Sequence, residues 1–219
     1  MKTALLFIHG FATGPAIWGG QARELSGNYR VIFSAEEIDH SDTLYIIGWS
    51  MGGWKAIDLY LEHPSRVKGL ILVSAFAKYL KSDDYPFGTS PALLKRLEGR
   101  FKADYRSGLD YFYGLLFSDQ KWHALANELP PPEKEDIDRW FDKLKNEDKR
   151  NVLPEIKVPA LLIHGDRDEI SPPGNSRFMH EKIPGSRLTI LEGVGHAPMV
   201  EAPALFNAGL RGFIEENAG

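Results

Sequence analysis

Two textures of hydrophobic and polar positions divide this chain. Short runs rich in aliphatic and β-branched residues recur at residues 4–9, 29–33, 44–48, 69–74, 160–164 and 188–191, and Gly, Pro, Asp and Ser cluster after most of them. Most of the runs are apolar at consecutive positions, which is the pattern of strands buried on both faces. Helical or loop segments separate them, and that alternation predicts an α/β protein with about six strands in a mostly parallel sheet and helices on both faces. Residues 17–25 read as a short helix. Residues 51–62 read as a second, with Trp54, Ile57, Leu59, Tyr60 and Leu61 as its apolar positions and His63-Pro64 as its end. Residues 202–216 form a closing amphipathic helix. Only about ten residues separate the second and third runs, too few for a crossover helix, so a loop or a single turn is expected there.

The texture changes between residues 76 and 156. Phe101, Tyr105, Tyr111, Phe112, Tyr113, Phe117, Trp122, Trp140 and Phe141 are spaced among charged residues with no strand-like run. This predicts a helical insertion, residues 76–156, in a core made of residues 1–75 and 157–219. The turn-rich Leu129-Pro130-Pro131-Pro132 would divide it into helical pairs.

With 219 residues, 43% of them hydrophobic, the chain can bury one sizeable core. The formal net charge of -4 offers no general drive toward nucleic acid or an anionic membrane. No cysteine is present, which removes disulfides, thiolate catalysis and cysteine-ligated metals. No apolar segment approaches the ~20 residues that span a bilayer. The first run ends at His9-Gly10 without a small-residue cleavage site. A cytoplasmic monomer is the expectation.

Candidate chemistry centres on Gly48-Trp49-Ser50-Met51-Gly52-Gly53, where an apolar run enters and a helical pattern leaves. A G-x-S-x-G between strand and helix is a nucleophile-elbow pattern, in which a sharp turn lifts a serine hydroxyl above the sheet edge. A serine needs a base, and the base needs an orienting group. Two stretches past later strands offer them: Gly165-Asp166-Arg167-Asp168 supplies carboxylates, and Gly193-Val194-Gly195-His196 supplies an imidazole. Serine, aspartate, histidine is also the chain order of one known triad arrangement. His9 and His164, each beside a glycine at a strand end, read as structural. Metal ligation by His9, His164, Asp166 and His196 would need them to converge, but no H-x-H or H-E-x-x-H spacing is present. No metal or cofactor is expected.

In these motifs, together with His9-Gly10 after the first strand, the chain resembles the α/β-hydrolase family along nearly its whole length. The resemblance implies Ser50, Asp168 and His196 as the catalytic set, since the family's G-x-x-D pattern falls on Asp168 and leaves Asp166 as a turn former. It also implies an oxyanion hole from the backbone N–H groups of Phe11 and Met51. The family's usual N-terminal hairpin and the helix before the elbow are missing, which bears on the rim near residues 35–42. Within the family, Gly-Trp-Ser-Met-Gly-Gly and Gly195-His196-Ala197-Pro198 are most similar to esterases that cleave the methyl ester of pimeloyl-[acyl-carrier protein] in biotin synthesis. That likeness implies a serine carboxylesterase whose substrate is an ester, free or carried by an acidic acyl carrier protein. Phe11, Trp49, Tyr111 and Phe112 are then expected to bind substrate, with Tyr79 and Trp122 as further pocket aromatics. Lys95, Arg96, Arg100, Lys143 and Arg150 are expected to dock the carrier. The same scaffold also serves C–C bond hydrolases, menaquinone-pathway lyases and broad short-chain esterases.

Overall fold

In the computed structural model, which describes residues 3–38, 43–117 and 132–218, six strands form one sheet. They are β1 (Thr3–Ile8), β2 (Arg30–Ile32), β3 (Thr43–Trp49), β4 (Val67–Val73), β5 (Ala160–Gly165) and β6 (Arg187–Leu191), in the spatial order β2-β1-β3-β4-β5-β6. Every pairing is parallel. The α/β reading of the apolar runs therefore holds.

Side chains in the central strands divide with period two between the faces. Ala4, Leu6, Leu44, Ile46, Leu70, Leu72, Ala160 and Leu162 enter one apolar cluster; Leu5, Phe7, Tyr45, Ile47, Ile71, Val73, Leu161 and Ile163 enter the other. Both sets are buried, so these strands read as unbroken apolar runs. The last run departs from that pattern. β6 is an edge strand, paired only with β5, and in it Arg187 and Thr189 are exposed and only Leu191 is buried.

The first cluster is covered by α2 (Gly52–Glu62), through Ala56, Ile57 and Tyr60, and by α6 (Gly174–Lys182), through Met179. The second is covered by α1 (Gly19–Leu25) and α8 (Pro203–Glu216), with Leu25, Phe206, Leu210 and Phe213 facing inward. A 3-10 turn, Ala35–Glu37, is the helical element between β2 and β3 among the described residues. Between β4 and β5 lie α3 (Pro91–Ala103), α4 (Tyr105–Leu116) and α5 (Lys134–Asn146). Their Leu94, Leu97, Phe101, Leu109, Phe112 and Phe141 join the second cluster, the one that also holds Phe11 and Trp49. Trp122 and residues 129–131 lie outside the described residues.

The chain leaves β1 toward β2 and returns to the other side of β1 as β3. Helices on opposite faces diverge at such a reversal, which opens a crevice beyond the carboxyl ends of the two strands. His9, Gly10 and Phe11 follow β1, and Ser50 follows β3, so both stretches face that crevice.

Candidate active site

Ser50 joins β3 to α2 with a φ of 56°, a left-handed conformation that costs energy for any residue with a side chain. Hydrogen bonds fix it in place: Ser50 N donates to Val73 O at 2.8 Å, and Gly53 N donates to Ser50 O at 2.9 Å. The turn is also tight against β1. A Cβ at Gly52 would lie 2.5 Å from His9 O and 2.7 Å from Ile8 O, so only glycine allows the helix start this close to the strand end.

Ser50 Oγ lies 2.9 Å from His196 Nε2, and His196 Nδ1 lies 2.6 Å from Asp168 Oδ2. A carboxylate can only accept, so Nδ1 carries the proton and Nε2 is left to accept from the serine hydroxyl. All three residues are buried. Asp168 follows β5 in a turn that turns its own amides on it: Ile170 N and Ser171 N donate to Oδ1 at 2.9 and 2.8 Å. Burial alone pushes this carboxyl up, but the charge of His196 and hydrogen bonds from His164 and His196 outweigh it and hold Asp168 well below the usual carboxylate range.

The loop bearing His196 is tied down from three directions. Asp166 Oδ1 accepts Gly193 N at 2.7 Å, as befits a turn former, and Arg167 N donates to Val194 O at 2.9 Å. Trp49, only 1% exposed, donates its indole N–H to His196 O at 2.8 Å. Glu201, in the short helix α7 (Pro198–Glu201), accepts Gly195 N and Ala197 N at 3.1 and 3.2 Å, bracketing the histidine. Neither Trp49 nor Glu201 stood out in the sequence for this task. A carboxylate in the first turn after Pro198 was the available sign of Glu201.

Neither the Phe11 N–H nor the Met51 N–H donates to another main-chain group among the described residues. A Cβ on the neighbouring Gly10 would come within 3.0 Å of Ser50 Cβ, which measures how close the first loop runs. The Phe11 ring anchors this loop edge-on against Phe101, Phe112, Trp140 and Phe141, with centroids 5.2–5.6 Å apart. Tyr113 of α4 adds a hydrogen bond from its hydroxyl to Ala12 O at 3.3 Å. His9 beside it is lowered in pKa chiefly by burial, a trend that the Gly10 carbonyl opposes.

Two cavities adjoin these loops. One of about 420 Å³ is lined by His9, Gly10, Ala12, Thr13, Met51, Tyr105, Pro132, Glu133, Asp136 and Trp140. The other, about 210 Å³, lies against Met51, Gly52, Phe33, Leu59 and the two lysines Lys55 and Lys143. The aromatics expected to bind substrate make contacts of their own. Trp49 supports the histidine loop, Phe11 and Phe112 pack into the aromatic cluster, and Tyr111 carries the Arg100 guanidinium 4.3 Å above its ring at the surface. None of these four lines either cavity, and neither do Ser50 and His196. Tyr79 is buried, and burial keeps its phenol neutral by raising its pKa.

The basic residues also separate. Lys95, Arg96 and Arg100 are exposed on α3. Arg150, expected among the docking residues, is instead neutralised internally by Asp148 at 2.7 Å and Asp84 at 2.9 Å and lies over the Tyr85 ring. Its charge is spent within the fold. Among the described residues, no helix is long and apolar enough to cross a membrane, and no group of three acidic or histidine side chains is arranged to hold a metal.

Comparison with known proteins agrees with this architecture. A pimeloyl-[acyl-carrier protein] methyl ester esterase from Neisseria meningitidis serogroup B is 32% identical over 176 residues, covering 78% of this chain and 68% of that protein. Its counterpart in Nitrosomonas europaea is 28% identical, covering 92% of each chain. An esterase structure from Exiguobacterium antarcticum superposes with a TM-score of 0.86 at 25% identity over 98% of this chain and 93% of that one. The alpha/beta hydrolase fold family matches residues 40–203, and with the sheet order, the elbow and these relatives it establishes that the chain belongs to that family.

Proposed function

We propose that this chain is a serine carboxylesterase that works through an acyl-enzyme. Its membership of the family and its esterase relatives make it a carboxylic ester hydrolase. The observation that carries the mechanism is the unbroken line Ser50 Oγ–His196 Nε2–His196 Nδ1–Asp168 Oδ2, with steps of 2.9 and 2.6 Å. In this reading Ser50 Oγ attacks the ester carbonyl as His196 takes its proton. The amides of Phe11 and Met51 hold the charge that develops on the carbonyl oxygen, a type of donor whose loss costs about 10²–10³ in rate. His196 then delivers the proton to the departing alcohol. A water molecule, deprotonated by the same imidazole, attacks the acyl-serine and releases the acid. Asp168 keeps the imidazole in the tautomer that can accept.

For the substrate, the relatives point to an acyl chain on an acyl carrier protein, whose terminal methyl ester is cut to a carboxylate and methanol in biotin synthesis. Their names favour ester cleavage over a C–C hydrolase or lyase on the same scaffold. We assign residues 76–156 as a cap over a core of residues 1–75 and 157–219, and the exposed Lys95, Arg96 and Arg100 of α3 as the dock for an acidic carrier.

Ser50→Ala tests the mechanism directly. It is expected to abolish p-nitrophenyl ester turnover and labelling by a fluorophosphonate while leaving the melting temperature near that of the parent. Retained turnover in a folded S50A protein would end the reading.

A further inference from the structure

A second histidine stands behind the acid. His164, near the end of β5, is fully buried and belongs to none of the steps above. Its Nε2 lies 2.6 Å from Ser171 O and 2.9 Å from Asp168 Oδ2, the oxygen that also accepts from His196. Both neighbours of Nε2 are acceptors without a proton of their own, so Nε2 carries one. Its Nδ1 lies 2.6 Å from Ser176 Oγ of α6, a hydroxyl that can donate to it. A neutral imidazole therefore satisfies every contact in the pocket. The N–H is directed mainly at the Ser171 carbonyl and shared with the carboxylate.

The Asp168 carboxylate is consequently held on both oxygens, by the Ile170 and Ser171 amides on Oδ1 and by the two imidazoles on Oδ2. Without His164, Oδ2 would keep only the His196 contact, against an aspartate terminal torsion that is broad for carboxylates. We propose that His164 is a positioning residue: its shared Nε2–H fixes Asp168 Oδ2 toward His196 and draws off part of the charge that the catalytic imidazole meets. This rests on the proposed triad. A purely structural histidine would fill the same volume without touching the acid, and a change there would alter stability alone.

The groups that face the Asp168 carboxylate are His164 from β5, His196 from the loop after β6 and, from the segment after β4, Tyr79, which burial keeps as a neutral phenol. Ile170 and Ser171 contribute only amides. With the His164 donor gone, more of the negative charge on Oδ2 is left to stabilise the protonated form of the base. The acid limb of kcat/KM then moves to higher pH.

The test compares His164→Leu, His164→Gln and Ser50→Ala with the parent on a p-nitrophenyl ester from pH 5 to 9, with melting temperatures. A hydrogen bond to a charged group corresponds to roughly 10–100-fold in rate. H164L is expected to lose about that much in kcat with KM nearly unchanged and its acid limb shifted upward. H164Q, whose amide can donate in place of Nε2–H, is expected to recover most of the rate and the parent profile. A folded H164L with the parent's kcat and acid limb overturns the proposal, as does a folded H164Q no faster than H164L. If H164L does not fold, H164Q decides, because a loss above tenfold at a normal melting temperature overturns it. Activity retained by S50A would instead overturn the triad, so the two failures are distinguishable.

Discussion

Gly165→Ala should disable the site through main-chain crowding alone. Gly165 ends β5 three residues before Asp168, and the loop that carries His196 crosses directly over it. An added Cβ would stand 2.1 Å from Val194 O, 2.2 Å from Gly195 O and 2.6 Å from Val194 C. These are main-chain atoms, and for the two oxygens the gap falls more than an ångström short of the 3.4 Å at which ordinary contact begins. β5 is held between β4 and β6, so the 193–196 loop has to give way. A shift of about 1 Å in a catalytic group typically costs ~10²-fold, and the 2.9 Å contact between His196 Nε2 and Ser50 Oγ has no slack to absorb it. The expected result is a kcat/KM on a p-nitrophenyl ester lower by about 100-fold. Crowding should also cost about 1–3 kcal/mol, which for a chain of this size lowers Tm by about 2–4 °C for each kcal/mol. Gly99→Ala is the matched control. Gly99 lies inside α3 with nothing within 4 Å of its added Cβ, so alanine should stabilise by about 0.5–1 kcal/mol with kcat/KM unchanged. A G165A protein with parental kcat/KM and parental fluorophosphonate labelling would refute the argument that this glycine sets the spacing between the acid and base loops.

Charge reversal on α3 tests the dock. Arg96→Glu with Arg100→Glu should raise KM for a carrier-bound methyl ester by about tenfold or more, in a salt-dependent way, and leave a p-nitrophenyl ester untouched, whereas Arg150→Ala should lower Tm without that KM effect; equal effects from both sets would remove α3 as the dock. Acid stability tests Asp168. Its folded pKa lies below the ordinary value of ~3.9, so its stabilisation is fully present above that value and fades as pH falls through it toward the folded value. Urea midpoints measured between pH 5 and pH 2 should therefore decline less steeply for Asp168→Asn than for the parent, and parallel declines would contradict the assignment.

Much of the fold was legible because burial on both faces leaves an unambiguous mark. β1, β3, β4 and β5 appear as unbroken apolar runs, and their ends agree with the sheet within about two residues. β6 was found as well, yet its edge position was not visible: Leu188, Ile190 and Leu191 read as a buried strand, and only the sheet order, which pairs it with β5 alone, makes it an edge. Ser50, Asp168 and His196 were each marked by local punctuation, a glycine pair around the serine and glycines before the other two. Trp49, Glu201 and His164 carried no mark of the contacts they make here. Trp49 acts on a carbonyl 147 residues away, and a long-range hydrogen bond imposes no local pattern; Glu201 and His164 act on residues four to seven positions away, across turns whose shape sequence spacing alone does not specify.

The amino-acid order alone determined the strand sequence and the elbow, because backbone propensity and turn chemistry are local; it offered Asp166 and Asp168 alike beside Ser50 and His196, and only the family resemblance pointed to Asp168. Packing decided what surrounds them. It buried Phe11 and Phe112 in an aromatic cluster, turned Tyr111 outward under Arg100, spent the charge of Arg150 on Asp84 and Asp148, and brought His164 against the far side of Asp168. Those outcomes depend on which faces remain uncovered once sheet and helices have met, and that is a property of the assembled chain.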